Sequence, residues 1–182
     1  MPFEVELKFK IKSRSELNDR LRRLGAVFLN KEKMTDYYLN SETMDFKNTD
    51  RALRIRDTDL FEWSELTYKG PKISKESKTR EEINIRVDSH ENMVRILKVL
   101  GLEVVAEVKK IRENWTHTDY TISIDNVEKL GYFVEIESIV ESRKEVEPKV
   151  NELKAYAIQL GIKVEQQIRK GYLDLIQEAS EQ

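Results

Sequence analysis

The sequence predicts an α+β fold: an antiparallel sheet that closes on itself, with helices packed on its outside. Three observations predict it. Nearly every extended stretch alternates apolar and charged residues with a period of two, as a strand does when one face lies on a core. Three helical stripes each end in Leu-Gly. A unit of strand, helix and further strands occurs twice along the chain.

In the opening strand, Phe3, Val5, Leu7, Phe9 and Ile11 alternate with Glu4, Glu6, Lys8 and Lys10. Ser13-Arg14-Ser15-Glu16 reads as a capping box, whose side chains satisfy the first free N–H groups of a helix. Leu17, Leu21 and Leu24 follow at helical spacing before Gly25. GAVF then continues as extended chain. RALRIRD and SELTYKG are strands, the second ended by Gly70-Pro71, and Lys72 to Lys78 is a charged, serine-containing loop. After the strand EEINIRV, a second capped start lies at Asp88 to Glu91. Its stripe is Met93, Ile96, Leu97 and Leu100, ahead of Gly101. GLEVV, EVKKIREN, DYTISIDN and YFVEIESI are extended, and Glu128-Lys129-Leu130-Gly131 turns the last two into a hairpin. Pro148 is expected to start the third helix, with Val150, Leu153, Ala157 and Leu160 before Gly161, and GIKV follows as an extended segment. EVELKFKI before the first helix and TREEINIRV before the second define the repeat; the third helix is a terminal addition.

The length of 182 residues suits a single domain spanning 1–182. With a net charge of −2 and both signs abundant, the chain lacks the basic excess of a general nucleic-acid binder, so no nucleic-acid partner is expected. No window approaches the run of about 18 apolar residues that a membrane span needs, so no membrane partner is expected either. The charged opening strand is not a basic-then-apolar leader. Cysteine is absent, which excludes disulfides, thiolate zinc sites and cysteine nucleophiles and suits a reducing cytoplasmic location. His90 and His117 are too few for a His-rich metal site and read as surface or cap residues. Trp63 and Trp115 read as packing, and Lys10, Arg86 and Lys109 as ordinary ion-pair residues.

The polar strand faces have two readings. Half-exposed strands alternate in this way, so each face can simply meet water. Like charges, however, stand in pairs on these faces: Glu4 with Glu6, Arg54 with Arg56, Glu135 with Glu137. Residues two apart on a strand stand about 7 Å from each other on one side. If the faces converge, the basic group is Lys8, Arg54, Arg56, Lys69, Arg80, Lys110 and Arg112. The acidic group is then Glu4, Glu6, Glu82, Asp125, Glu135 and Glu137. Buried together, such charges are costly unless each is paired or bound to a ligand. A polyphosphate with a divalent metal satisfies both groups, because guanidinium and ammonium groups hold phosphate oxygens and carboxylates hold Mg²⁺ or Mn²⁺. Asp36, in TDYYL with Tyr37 and Tyr38, has two readings, contact with the mouth of such a cavity or a core-and-turn role, and the second is preferred.

Glu4-Val5-Glu6-Leu7-Lys8 resembles the ExExK signature of the CYTH superfamily, the triphosphate tunnel metalloenzymes. LRIR, LTYKGP, TREE, KKIRE, SIDNVEKLGYFVEIE and RKGYLDLI follow in the same order over almost the full chain, and the whole is most similar to the class IV adenylyl cyclase branch. The resemblance implies an eight-stranded antiparallel closed tunnel with helices outside. It implies that Glu4, Glu6, Asp125, Glu135 and Glu137 hold Mg²⁺ or Mn²⁺. Lys8, Arg54, Arg56, Lys69, Arg80, Lys110 and Arg112 would cradle a small-molecule triphosphate, with Lys8, Lys110 and Arg112 at the reacting phosphate. Glu82 would orient neighbouring basic groups or water, and Lys170 would add a cation near the C-terminus. The implied activity is conversion of ATP to cyclic AMP and pyrophosphate. The alternatives are hydrolysis of thiamine triphosphate, tripolyphosphate or a nucleoside triphosphate, and a non-catalytic sensor of nucleotide or polyphosphate. A homodimer is also implied.

Overall fold

The computed structural model describes residues 3–46, 48–73, 77 and 79–180. Of the charged 72–78 loop, 74–76 and 78 lie outside the described residues. The first half runs β1 (Phe3–Lys10), α1 (Arg14–Arg23), β2 (Val27–Asn40), β3 (Ala52–Thr58) and β4 (Ser64–Lys69). The second runs β5 (Glu82–Val87), α2 (His90–Val99), β6 (Glu103–His117), β7 (Tyr120–Val127) and β8 (Gly131–Val140). α3 (Val146–Gln159) and α4 (Tyr172–Ser180) complete the chain.

All eight strands form one antiparallel sheet in the order β1-β8-β7-β6-β2-β3-β4-β5. Exchanging β1–β4 with β5–β8 reverses this order onto itself. The repeat seen in the sequence is therefore a pseudo-twofold, and its axis passes between β2 and β6. The sheet curls into a half-barrel, the tunnel fold that the sequence predicts. Its edge strands share no ladder among the described residues; they meet at a single bridge between Glu4 and Arg80.

The alternation sorts each strand into two faces. Outward-facing Val5, Leu7, Phe9, Ile122, Ile124, Val134 and Ile136 pack under α1 (Leu17, Leu21) and α3 (Val150, Leu153, Ala157), and Trp115 joins this core as expected. Leu39 and Ile55 pack with Met93, Val94 and Leu97 of α2. Ser13 and Ser89 cap α1 and α2 by accepting hydrogen bonds from the backbone N–H groups of Glu16 and Asn92. Gly161, which follows α3, sits at φ +70°, and a Cβ there would lie 1.3 Å from Nη1 of Arg20. That guanidinium donates to the carbonyl of Leu160, and the left-handed backbone here favours glycine at this helix end.

Three sequence expectations need correction. α3 begins two residues before Pro148, which sits in the first turn, where its missing N–H costs nothing. GIKV forms no strand; the β1 edge is met further along, where Gln167 bridges to Phe9 and the Ile168 N–H donates to the Lys8 carbonyl. RKGYLDLI contains a fourth helix. Tyr172, Leu175 and Ile176 pack on Val108, Val127 and Phe133, which share their strand faces with Lys110, Asp125 and Glu135. α4 therefore plugs one end of the half-barrel from within. No helix among the described residues is long and apolar enough to cross a membrane.

Candidate active site

The inward faces enclose a cavity of about 510 Å³. Lys8 from β1, Arg54 and Arg56 from β3, Lys69 from β4, Arg80 before β5, and Lys110 and Arg112 from β6 all line it. So do Glu4, Glu6, Glu82, Glu135 and Glu137. The second reading of the alternation is thus the correct one: the polar faces converge.

Strand register explains how so many charges coexist. Asp36 stands opposite Arg56, Asp125 opposite Arg112, Glu135 opposite Lys8, and Glu82 opposite Lys69. Like charges neighbour one another on β3 and β8, β1 carries both signs, and opposite signs meet across these strand pairs. Arg56 Nε and Nη2 donate to the two carboxylate oxygens of Asp36 at 2.6 and 2.9 Å. Arg112 forks onto Asp125 in the same way at 2.7 and 2.6 Å, and its Nη2 also reaches Glu135 at 2.5 Å. Lys110 Nζ lies between the two forks, 3.1 Å from Asp36 and 3.9 Å from Asp125. Lys8 Nζ stands 3.0 Å from Glu135 and 3.6 Å from the centre of the Tyr172 ring, whose hydroxyl donates to Asp125 at 2.8 Å. Lys69 pairs with Glu82. Arg80 approaches the carbonyl and carboxylate of Asp50. Arg54 donates to Thr67 and Glu65, while its buried Nε has no hydrogen-bond partner among the described residues.

Electrostatics follow the register. Burial pushes the Asp36 carboxyl up, but Arg56 and then Lys110 more than reverse this and hold it well below 3.8. Asp125 is lowered by Arg112 and Lys110 against the same burial penalty. Arg56 and Arg112 are raised, by Asp36 and Asp125 respectively, despite burial. Lys110 is lowered to about 8, first by burial and then by Arg56.

One cross-strand pair departs from the rule: Glu6 lies directly opposite Glu137, with Glu4 two residues along. Like charges facing each other across strands are destabilising. Burial and then Glu82 raise Glu4; burial and then Glu4 raise Glu137 well above 4.5, and the two carboxyl groups share a hydrogen bond. Oxygen-only donors that repel until a proton or cation bridges them suit Mg²⁺ or Mn²⁺. Among the described residues, no three acidic or imidazole groups are already spaced around one point. Glu4 and Glu137, with Glu6 beside them, are the groups that fit. Glu135 is engaged by Lys8 and Arg112.

Two expected site residues do not reach the cavity. Asp125, read as a metal carboxylate, is fully buried behind Arg112 and Tyr172, so its oxygens position the guanidinium. Lys170 directs its Nζ to Glu178 at 2.5 Å, and it is its carbonyl that accepts from Lys8 at 3.4 Å. Asp36 and Tyr172 were missed as site residues. Asp36 alternates in phase with the inward-facing Tyr38, and Tyr172 opens an i, i+3, i+4 stripe with Leu175 and Ile176; both signals are present in the sequence. His90 and His117 stack outside the site on Tyr37 and Tyr156.

Residues 2–172 match the CYTH domain. The chain is 42% identical over 174 residues to the Methanocaldococcus jannaschii protein named "Putative adenylate cyclase MJ0240", covering 94% of this chain and 97% of that one. The PH1819 protein of Pyrococcus horikoshii superposes with a TM-score of 0.88 at 36% identity, over 97% of this chain and 99% of that one. HpAC1 from Hippeastrum, described as a "putative adenylyl cyclase" with a dominant triphosphatase activity, shares the fold with a TM-score of 0.63 at 18% identity, over 94% and 91% of the two chains. Sequence, curled sheet and inward charges agree: this chain belongs to the CYTH domain family.

Proposed function

We propose that this protein is a metal-dependent enzyme that binds ATP by its triphosphate and converts it to cyclic AMP and pyrophosphate. The observation that carries the reading is the convergence of Lys8, Arg54, Arg56, Lys69, Arg80, Lys110 and Arg112 on one cavity whose remaining charged wall holds Glu4, Glu6 and Glu137. A cavity of about 510 Å³ is within the range of small-molecule sites and has room for more than a bare polyphosphate. The name of the 42% identical archaeal relative supports the cyclase reading.

Phosphoryl chemistry of this kind is driven by positioning and charge neutralisation. Asp36 and Asp125 each occupy two N–H groups of an arginine, which aims the remaining N–H groups of Arg56 and Arg112 into the cavity. Arg54 Nε is a buried donor awaiting an acceptor, and a phosphate oxygen supplies one. Lys8, Lys110 and Arg112 flank the reacting phosphate and oppose the charge that grows on its oxygens. Glu4 and Glu137, with Glu6, would hold Mg²⁺ or Mn²⁺, which when bound neutralises phosphate oxygens and acidifies an attacking hydroxyl. In the reaction, the ribose 3′-hydroxyl gives its proton to solvent as its oxygen bonds to the α-phosphorus, the bond from that phosphorus to the α–β bridging oxygen breaks, and pyrophosphate leaves.

The test is incubation with ATP, thiamine triphosphate and tripolyphosphate in Mg²⁺ or Mn²⁺, with products separated by chromatography. Cyclic AMP and pyrophosphate from ATP are expected. Orthophosphate would replace the cyclase reading with hydrolysis, and tight binding without turnover would replace it with a sensor.

A further inference from the structure

The two halves of the pseudo-twofold are not covered alike. In the first half, outward-facing Val5, Leu7 and Phe9 of β1 are fully buried under α1 and α3. Their counterparts on β5, Ile83 and Ile85, are 52% and 51% exposed. α2 packs elsewhere on the sheet, on Leu39 and Ile55, and the second half has no counterpart of α3 among the described residues. β5 is also the last strand of the sheet. Beyond the Glu4–Arg80 bridge, no strand pairs with its outer edge among the described residues.

The backbone fixes which residues address that edge. Lys69 stands opposite Glu82, and in the next pair the Gly70 N–H donates to the Glu81 carbonyl at 2.9 Å. Bonding alternates along an antiparallel pair, so Ile83 and Ile85 turn their N–H and C=O groups to β4. Glu82, Asn84 and Arg86 turn theirs to the edge. Such an edge is a template for another strand.

The sequence of β5 fits a second copy of itself. Laid antiparallel about Asn84, Glu82 meets Arg86 of the second copy, Ile83 meets Ile85, and Asn84 meets Asn84. The pairs made by Glu82, Asn84 and Arg86 all carry edge-directed backbone groups, so the ladder is satisfied in the same register. A slip of two residues in one direction opposes Arg86 to Arg80, and in the other opposes Glu82 to Asp88. Like charges directly opposite each other are destabilising, so the register is specified.

We propose that β5 is a dimerisation edge. Two copies pair their β5 strands antiparallel about a twofold axis at Asn84, and the two sheets become one. Ile83 and Ile85 of both copies form a single cluster on the outer face, which removes apolar surface from water. On the inner face, the second copy brings its Arg86 to Glu82, a residue of the cavity wall.

The chain has no cysteine, so introduced cysteines report this register. Sedimentation equilibrium of the full chain is expected to give a dimer. Cα atoms of a hydrogen-bonded antiparallel pair lie about 5.5 Å apart, within reach of a disulfide, so oxidised Asn84→Cys is expected to form a covalent dimer. Asp88→Cys is expected not to, because its two copies stand about 27 Å apart along the strands. Arg86→Glu, outside the cavity lining, opposes like charges twice and is expected to weaken the dimer about tenfold. Ile85→Lys, at an exposed position, is a second variant with the same expected direction. Unfolding midpoints close to that of the wild type show that the variants fold. A monomeric wild type would overturn the proposal. So would Asn84→Cys that cross-links no better than Asp88→Cys, or a dimer that neither Arg86→Glu nor Ile85→Lys weakens.

Discussion

Asp36 anchors one of the two arginine forks of the site. It is fully buried, ties Arg56 down with both oxygens and holds Lys110 at 3.1 Å. Asp36→Asn leaves Arg56 without its counter-charge and Lys110 with only Asp125 at 3.9 Å, and urea unfolding should show a loss of about 3–5 kcal/mol. The sign of the pH effect follows from the direction of the shift. Its folded-state carboxyl lies well below the ordinary 3.8, so its stabilisation is present above 3.8 and is lost as pH falls through the lower folded value. The acid limb of the wild-type stability curve should therefore be steeper than that of the variant. Lys110 titrates in the other direction. Lowered to about 8 from 10.5, it binds fewer protons folded than unfolded between those values, so its contribution to stability rises with pH across that window. A bound polyanion favours the charged form. Tripolyphosphate binding should thus take up protons and weaken as pH rises past about 8, measured by calorimetry in buffers of different ionisation enthalpy. That the polar faces turn inward on one cavity is given by the fold; which residues share a face was legible from alternation, as Lys8, Arg54, Arg56 and Glu137 show. Their partners were not, because the sequence contains no strand register. Asp125 looked like a metal ligand until its position opposite Arg112 made it the anchor of that guanidinium.

At the scale of elements, the first two helices and the strands other than β2 beyond Phe28 follow from local pattern: serine caps, apolar stripes, glycine ends and alternation; β2 runs on to Asn40, through the segment read as a turn around Asp36. α4 was hidden because its stripe is short and lies within a motif read for its lysine. Its packing against Val108, Val127 and Phe133 depends on contacts across the whole chain. The helix does two things at once: it closes one end of the half-barrel, and it lays Tyr172 over Lys8. Tyr172→Phe keeps the ring and removes the hydrogen bond to Asp125, for an expected loss of about 1.5–3 kcal/mol. Tyr172→Ala also empties space beside Phe133 and should cost about 3–5 kcal/mol. Unfolding midpoints of both variants check this; if neither moves, α4 does not plug the barrel. At the opposite end, Asn114 donates to Glu32 at 2.6 Å and to Asn30 at 2.8 Å, and Thr58 donates to Glu32, forming a self-satisfied polar layer.

At the scale of the molecule, the pseudo-twofold explains the site. Each half contributes one arginine fork, Arg56 on Asp36 from β3 to β2 and Arg112 on Asp125 from β6 to β7, with acid and base exchanged between the halves. The axis between β2 and β6 brings the forks together around Lys110. The repeat was readable from two charged strands and two Leu-Gly helix ends. The exchange of acid and base was not, because it involves single positions against a background of abundant charge. Buried charge at this density is tolerated because cross-strand pairing neutralises most of it; the acidic wall of Glu4, Glu6 and Glu137 is the exception and so the place for a cation. Crystals grown with Mn²⁺ and α,β-methylene-ATP test this account most directly, because manganese is located by its anomalous scattering. The account predicts manganese between Glu4 and Glu137, with phosphate oxygens on Arg56, Lys110 and Arg112. Nucleotide bound on the outer surface, or manganese away from both carboxylates, would contradict it.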